Sequence, residues 1–418
     1  MQRILSTELA RHTGETVTVA GWVHRRRLLK AVAFLIVRDA AGFTQVVVTE
    51  PELRARIETL PEESVVSLTG TVTANSAAPA GVELTGPTLQ ILNAVGVPLP
   101  FELHRPALGA SLPTQLDHAA LALRHPSRAA ALRISAAATE GFRATLARQR
   151  FVEIHTPKIV ASATESGANV FALDYFGRPA YLAQSPQFYK QLMVGVFERV
   201  FEVGPVFRAE PHDTARHLAQ YTSLDAELGF IGDHRDVMAV LTEVIAGMTA
   251  TVAERTGFEV PEVPAEIPAL HFSDALKIAG APADEPDLAP AHERALGEWA
   301  LREHGSEFVF VTGYPMRKRP FYTHPQPSDP AWSNSFDLLF RGLELVTGGQ
   351  RLHRYEDYEA ALGGNTAPYE GYLDAFRYGM PPHGGFAIGL ERFVARLTGA
   401  SNVREVTAFP RDLTRVTP

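Results

Sequence analysis

Residues 201–230, FEVGPVFRAEPHDTARHLAQYTSLDAELGF, set charged side chains at two-residue intervals inside apolar runs. In the first run Phe201, Val203 and Phe207 share one side, and Val206, Arg208 and Glu210 share the other. In the second, Tyr221, Ser223, Asp225 and Glu227 alternate with Leu224, Ala226, Leu228 and Phe230. Period-two alternation marks a half-buried strand. Two such strands, paired antiparallel, put Arg208, Glu210, Asp225 and Glu227 on one face. Charges of both signs there suit a ligand with an anionic and a cationic part. A phosphate calls for a fork-shaped donor such as arginine, and an ammonium calls for carboxylates. A salt-bridged solvent face would produce the same alternation.

Two later stretches offer related chemistry. In SNSFDLLFRGLELVTGGQRLHRYE, Glu344 and Thr347 supply a carboxylate and a hydroxyl. Mg²⁺ prefers such hard oxygen ligands and incomplete protein coordination, so the pair suits an ion shared with nucleotide phosphates. Gly348–Gly349 reads as a turn separating Glu344 from Arg351. GGFAIGLERFVARLTG reads as strand, glycine turn and helix, with Leu390, Phe393, Val394 and Leu397 as the buried stripe. Arg392 falls off that stripe, and a helix start with an arginine and preceding glycines suits phosphate or adenine. Near the N-terminus, Arg25, Arg26 and Arg27 offer phosphate contacts. There Phe34 offers a stacking surface and Gln45 a base-edge partner. Taken singly, Phe34 reads equally as core and the arginines as a solvated patch.

The elements that must position these groups follow from the pattern of the chain. Its 418 residues allow two or three domains, and 45% hydrophobic with 21% charged residues is a globular composition. No run approaches the apolar length of a membrane span, and MQRILSTELARHTGETV lacks a signal-peptide core. There are no cysteines, which excludes disulfides, thiolate metal sites and cysteine nucleophiles and fits a reducing, cytoplasmic setting. The net charge of −8 argues against a protein that coats nucleic acid non-specifically. Residues 1–100 carry nine Lys/Arg and nine Asp/Glu, so the acidic excess lies beyond them.

Residues 1–100 show strand-like runs at 16–23, 33–37, 44–48, 64–72 and 82–84 with 89–95, which predicts a small all-β barrel of the OB type. Residues 101–125 read as a proline-punctuated hinge without period. Residues 126–418 read as one α+β domain. In it Ile134, Ala138, Phe142 and Leu146 form a helix stripe, followed by FVEIHTPKIV as a strand ending at Pro157. Residues 233–305 hold two amphipathic helices and no readable chemistry.

Arg208, Glu210, Arg216, His217, Tyr221, Asp225 and Glu227 match, in order and spacing, the second signature motif of class II aminoacyl-tRNA synthetases. The closest resemblance is to the aspartyl enzymes, and it covers nearly the whole chain. It implies an N-terminal OB-fold barrel reading the anticodon and an α+β catalytic domain on an antiparallel sheet. It also implies a homodimer built on the region of residues 126–160. The implied ATP-binding residues are Arg208, Glu210, Arg216, His217, Leu218, Tyr221, Glu344, Gly389, Leu390, Glu391 and Arg392, with Arg208 and Arg392 catalytic. Glu344 and Thr347 resemble the family's Mg²⁺ pair, with threonine in place of the usual serine. The implied aspartate-binding residues are Glu165, Ser185, Gln187, Lys190, Arg208, Asp225, Thr347 and Arg351. Lys190 and Arg351 would read the side-chain carboxylate; Glu165, Gln187 and Asp225 would hold the ammonium. In the barrel, Arg27, Phe34 and Gln45 match residues that grip the central anticodon uridine.

An asparaginyl enzyme shares the architecture but has no need of two cations at the side-chain end. A non-catalytic paralogue would lose motif arginines, and Arg208 and Arg392 are present. The short chain resembles the archaeal type of aspartyl enzyme. There His24, just after Gly-Trp-Val, and Pro79 stand at positions that separate strict from relaxed enzymes. His24 resembles the relaxed ones. The expectation is therefore charging of tRNA(Asn) as well as tRNA(Asp), with a tRNA-dependent amidotransferase as functional partner.

Overall fold

The computed structural model describes residues 3–161 and 169–417. The chain divides into two units between His118 and Ala119. In the first, strands β1 (Thr16–Leu28), β2 (Ala33–Arg38), β3 (Phe43–Val48), β4 (Val65–Ala74) and β5 (Val82–Asn93) close a barrel in the order β1-β2-β3-β5-β4. Alternate residues point inward, and Val17, Val19, Leu35, Val37, Val46, Val48 and Leu68 fill the interior. Closure leaves no unpaired strand edge. The runs 82–84 and 89–95 were expected as separate pieces. They form one strand, because a register shift between Thr69 and Thr71 accommodates Gly86 and Pro87 opposite Gly70.

The segment 101–125 is more structured than the expected hinge. Leu112–Asp117 and Ala119–Ala122 are short helices, the first capped by the Ser111 hydroxyl with a proline in its first turn. His104 Nδ1 lies 3.1 Å from Glu62 Oε2, tying this segment to the barrel unit.

The second unit is built on an eight-stranded sheet. Its strands are β6 (Val152–Glu153), β7 (Arg199–Phe207), β8 (Gln220–Gly229), β9 (Ala269–His271), β10 (Phe308–Thr312), β11 (Ser335–Phe340), β12 (Leu343–Gln350) and β13 (His383–Gly389). They lie in the order β9-β10-β11-β12-β13-β8-β7-β6. Only the outer pairs, β9 with β10 and β7 with β6, are parallel. Of the expected strand FVEIHTPKIV, only Val152–Glu153 joins this sheet; Ile159–Val160 pairs instead with Arg178–Leu182. The intervening Pro157 has no N–H for a ladder.

Helices α1 (Pro126–Arg148) and α2 (His234–Thr256) cover one face of the sheet. The α1 stripe Ile134, Ala138, Phe142 and Leu146 is at most 2% exposed. It shares a core with Leu224, Ala226 and Leu228 of β8. Phe230 departs from the expected apolar face: β8 ends at Gly229, and Phe230, at φ 58°, is 71% exposed. The helices cross where Gly141 meets Gly247, a Cβ at Gly141 falling 2.7 Å from the Gly247 oxygen. By length and hydropathy α2 is apolar enough to cross a membrane, contrary to the reading of the chain. In the fold its apolar residues, including Val237, Leu241, Val244 and Met248, are buried in the core.

Candidate active site

Residues paired across a ladder share a face. One row runs Glu202–Asp225–Ala387–Thr347–Asp337 across β7, β8, β13, β12 and β11, and the next runs Glu227–Gly385–Gly349–Ser335. The charged face predicted for β7 and β8 is therefore continued by three strands distant in the chain, β13, β12 and β11. It is not a solvent face: Asp225 and Glu227 are 1% and 0% exposed. Gly385 leaves room for this, since a Cβ there would lie 2.0 Å from Glu227 Oε2.

Two cations neutralise this pair. Lys190, from helix α3 (Gln187–Phe197), places Nζ 3.0 Å from Asp225 Oδ1 and 3.3 Å from Glu227 Oε2. Arg351 donates Nε–H to Glu227 Oε1 at 3.0 Å and Nη2–H to the Gly385 carbonyl at 2.9 Å. Burial alone would raise the pKa of Glu227; Arg351 and Lys190 outweigh it and hold the carboxyl below its ordinary range. Behind Lys190, Gln187 donates to Gln191, which in turn donates to Tyr358 and His383.

A cavity of about 390 Å³ opens over this floor. Gln187, Lys190, Thr347 and Arg351 line it together with Arg208, Glu210, Leu218 and Tyr221. Arg216, His217, Glu344, Gly389, Glu391 and Arg392 complete the lining. Arg208 extends the β7–β8 ladder by one residue, its N–H reaching the Ala219 carbonyl at 2.9 Å. Its guanidinium lies 5.9 Å from the centre of the Tyr221 ring. Glu210 lies beyond the strand end, 3.9 Å from Arg208. Burial lowers the pKa of His217, and Arg392, His212 and Arg216 lower it further, a sign of concentrated positive charge at this end. Glu391 accepts the Thr222 N–H, and burial raises its pKa.

Glu344 and Thr347 are three residues apart, which in an unbroken strand would aim them at opposite faces. A register shift pairs Glu344 with Leu339 and Val346 with Leu338, so Leu345 is the extra residue of a bulge. Both side chains then face the cavity. The expected turn at Gly348–Gly349 is absent; both glycines lie inside β12. Gly348 lies against Phe336, whose ring a Cβ would meet at 2.4 Å. The turn comes earlier, at Arg341–Gly342, where φ values of 48° and 69° make a two-residue hairpin.

Asp337 faces Thr347 across the ladder and escaped the reading of the chain, because SFDLLF reads as an apolar run. Its carboxylate sits 3.2 Å from Arg319 Nη2, and burial with the nearby Glu344 raises its pKa to about 6. No group of three His, Cys, Asp or Glu side chains forms a metal cage among the described residues. The oxygen set of Glu344 and Thr347, with Asp337 beside it, fits an ion that keeps water and phosphate ligands. Lys318 and Arg319 also line the cavity. Their only signal in the chain is the basic run Arg317–Arg319.

Other expected site residues lie elsewhere. Ser185 caps the start of α3, accepting the Gln187 N–H at 3.3 Å, and does not line the cavity. Asp225 lies beneath Lys190 and also accepts from the Ser223 hydroxyl. Leu390 is a core residue at the start of helix α4 (Leu390–Thr398). Glu165 is outside the described residues. The C-terminal FPR segment joins the site's edge, the Arg411 carbonyl accepting the Ala219 N–H at 2.7 Å.

On the barrel, Arg27 pairs with Phe34 and Ile36 with Gln45, so the three expected base-binding residues lie on the outer side of β1, β2 and β3. The Arg27 guanidinium is 5.9 Å from the centre of the half-buried Phe34 ring. Gln45 donates to Glu83 at 2.8 Å. His24 sits at a β1 bulge, its Nδ1 3.2 Å from Arg38 Nη1. Pro79 is exposed at the start of a one-turn helix.

Known proteins resemble this chain in sequence and fold. The description "tRNA synthetases class II (D, K and N)" matches residues 111–413, and "OB-fold nucleic acid binding domain" matches residues 17–92. The aspartate–tRNA(Asp/Asn) ligase of Deinococcus radiodurans is 45% identical over 100% of this chain and 99% of its own. The enzyme of that name from Thermus thermophilus is 44% identical over the whole of both chains. The solved asparaginyl-tRNA synthetase of Pyrococcus horikoshii, complexed with asparaginyl-adenylate, superposes with a TM-score of 0.93 at 30% identity over all of both chains. On the matched families, the identities and the sheet described above, this chain belongs to the class II tRNA synthetases of the D, K and N group.

Proposed function

We propose that the chain activates L-aspartate with ATP and transfers it to tRNA(Asp) and tRNA(Asn), as its relatives' names describe for them. The observation that carries the choice of amino acid is the pair Lys190 and Arg351 at the cavity floor. With Asp225 and Glu227 they sum to zero, so a substrate carboxylate can enter without meeting uncompensated negative charge. The superposition on an asparaginyl enzyme favours asparagine as a second reading. Pyrophosphate exchange with each amino acid separates them: activation of asparagine in preference to aspartate would reject the first.

In the reaction the α-carboxylate of aspartate attacks the α-phosphorus of ATP, forming aspartyl-adenylate and releasing pyrophosphate. The terminal ribose hydroxyl of tRNA then attacks the activated carbonyl and AMP leaves. No side chain acts as a nucleophile; catalysis is positioning and charge stabilisation. Arg208 meets the α-phosphate, and Tyr221 stacks on adenine with Glu210 at its edge. Arg216 and Arg392 hold the phosphate tail. Glu344 and Thr347 would hold Mg²⁺, which when bound neutralises phosphate charge. Gln187 and Glu165 receive the ammonium, and Asp225 orients Lys190 from below.

The barrel side bearing Arg27, Phe34 and Gln45 reads the anticodon. The enzyme works as a homodimer through the region of residues 126–160, in the cytosol where tRNA is charged. An active monomer in sedimentation at micromolar concentration would reject the dimer. Asp-tRNA(Asn) needs an amidotransferase to become Asn-tRNA(Asn).

A further inference from the structure

Helix α5 (Pro290–His304) lies within the stretch whose sequence shows no chemistry. Its first turn carries Glu293, which is 5% exposed and does not line the cavity. A single carboxylate oxygen of Glu293, Oε2, joins two separate parts of the site. It accepts the backbone N–H of Glu344 at 3.1 Å and the Arg216 Nη1–H at 3.2 Å. Close approach makes this possible. Gly297 packs on the hairpin turn, where a Cβ would fall 2.6 Å from the Gly342 nitrogen, and a Cβ at Gly342 would fall 2.9 Å from Arg294 Cα. The helix thus rests directly on the turn that leads into Glu344. Arg216, by contrast, comes from the loop between β7 and β8. A long arginine on a loop loses rotamer freedom when it grips a ligand.

We propose that Glu293 is a positioning residue that clamps Arg216 to the strand bearing Glu344, so that both meet the ATP phosphate tail already aligned. It touches neither substrate. Its charge holds one edge of the guanidinium, and the other N–H groups of Arg216 remain to donate to phosphate. This rests on the reading that Arg216 and Glu344 serve the phosphate tail.

The test is pyrophosphate exchange with the full chain carrying Glu293→Gln, Arg216→Ala, or both. Glutamine keeps an acceptor for the Glu344 N–H and removes the charge. The expected result for Glu293→Gln is an ATP KM raised about tenfold, about 1.4 kcal/mol, with the aspartate KM unchanged. The double variant should be no worse than Arg216→Ala alone, as for two residues acting through one contact. An unchanged ATP KM in Glu293→Gln, when Arg216→Ala raises it, overturns the clamp. Fully additive effects also overturn it. No effect of Arg216→Ala on the ATP KM overturns the phosphate-tail reading itself and the clamp with it. If the glutamine variant does not fold, Glu293→Asp, which withdraws the charge by one methylene, must show the same rise in ATP KM.

Discussion

The ammonium of Lys190 stands 3.0 Å from Asp225 Oδ1 while both side chains are almost wholly buried. Removing one partner of such a pair strands the other charge, at a cost of roughly 3–5 kcal/mol. Lys190→Ala and Arg351→Ala are therefore expected to lower aspartate activation by about two to four decades. Thermal melting must accompany the assay, since Glu227 loses a partner in each variant. Near-parental activation of aspartate by either variant would show that the side-chain pocket lies elsewhere.

His383 is fully buried, and its two ring nitrogens have fixed roles. Nε2 accepts from Gln191 Nε2 at 2.9 Å, and Nδ1–H donates to the Pro381 carbonyl at 2.9 Å. Burial lowers its pKa from the ordinary 6.5 to about 4. The unfolded chain then takes up this proton first as pH falls. The stability it contributes is intact above about pH 6.5 and lost as pH drops toward 4. Asp337 has the opposite sign: its raised pKa favours the fold at low pH, and that contribution fades as pH rises through about 6. The readout is thus the difference between parent and His383→Gln in melting temperature against pH. The variant profile should be flatter between pH 4 and 6.5, and equal slopes would count against a buried neutral imidazole.

Phe34 was legible in the chain as a base platform or as core. Its half-buried place on the outer side of the barrel, beneath Arg27, favours the platform. Phe34→Ala should weaken tRNA charging by about 1–3 kcal/mol, the value of one base–aromatic stack. Pyrophosphate exchange without tRNA should stay unchanged. Equal loss in both assays would make Phe34 a structural residue.

The alternation around Arg208 and Asp225 was readable because strand period and charge coincide there. Asp337 was not, because one acid in an apolar run carries no local signal; only the register Asp337–Thr347 brings it to the site. Glu293 is a harder case. A glutamate in the first turn of an amphipathic helix ordinarily faces water, whereas this one is buried where its helix packs on the Arg341–Gly342 turn. The glycines at 348–349 misled in the other direction, since glycine marks close packing inside a strand as well as a turn. The short helix at Leu112–Asp117 did have a signal, in Ser111 followed by Pro113.

The expected charging of tRNA(Asn) turns on one imidazole, if His24 meets the third anticodon base as the family resemblance implies. Arg38 can only donate, and its Nη1 lies 3.2 Å from His24 Nδ1. Arg38 is itself held by two hydrogen bonds to Glu63, at 2.8 and 2.9 Å. Nδ1 of His24 is thereby the acceptor, and Nε2 carries the ring proton as a donor. The anticodons of tRNA(Asp) and tRNA(Asn) differ only at the third base, cytosine in one and uracil in the other. Both pyrimidines present the O2 acceptor in the same place and differ at N3, acceptor against N–H donor, and at the 4-position, amino against carbonyl. A donor that meets O2 accepts either base, whereas rejection of uracil requires an acceptor for the cytosine amino group or a donor for cytosine N3. Pro79, with no N–H and no polar side chain, adds no donor from the other loop. Each missing base contact forfeits discrimination of about 1–3 kcal/mol. Purified tRNA(Asp) and tRNA(Asn) transcripts charged in parallel should therefore differ by less than a hundredfold in kcat/KM. A larger preference for tRNA(Asp), above about 2.7 kcal/mol, would mean that other contacts read N3 or the 4-position and that the enzyme is strict.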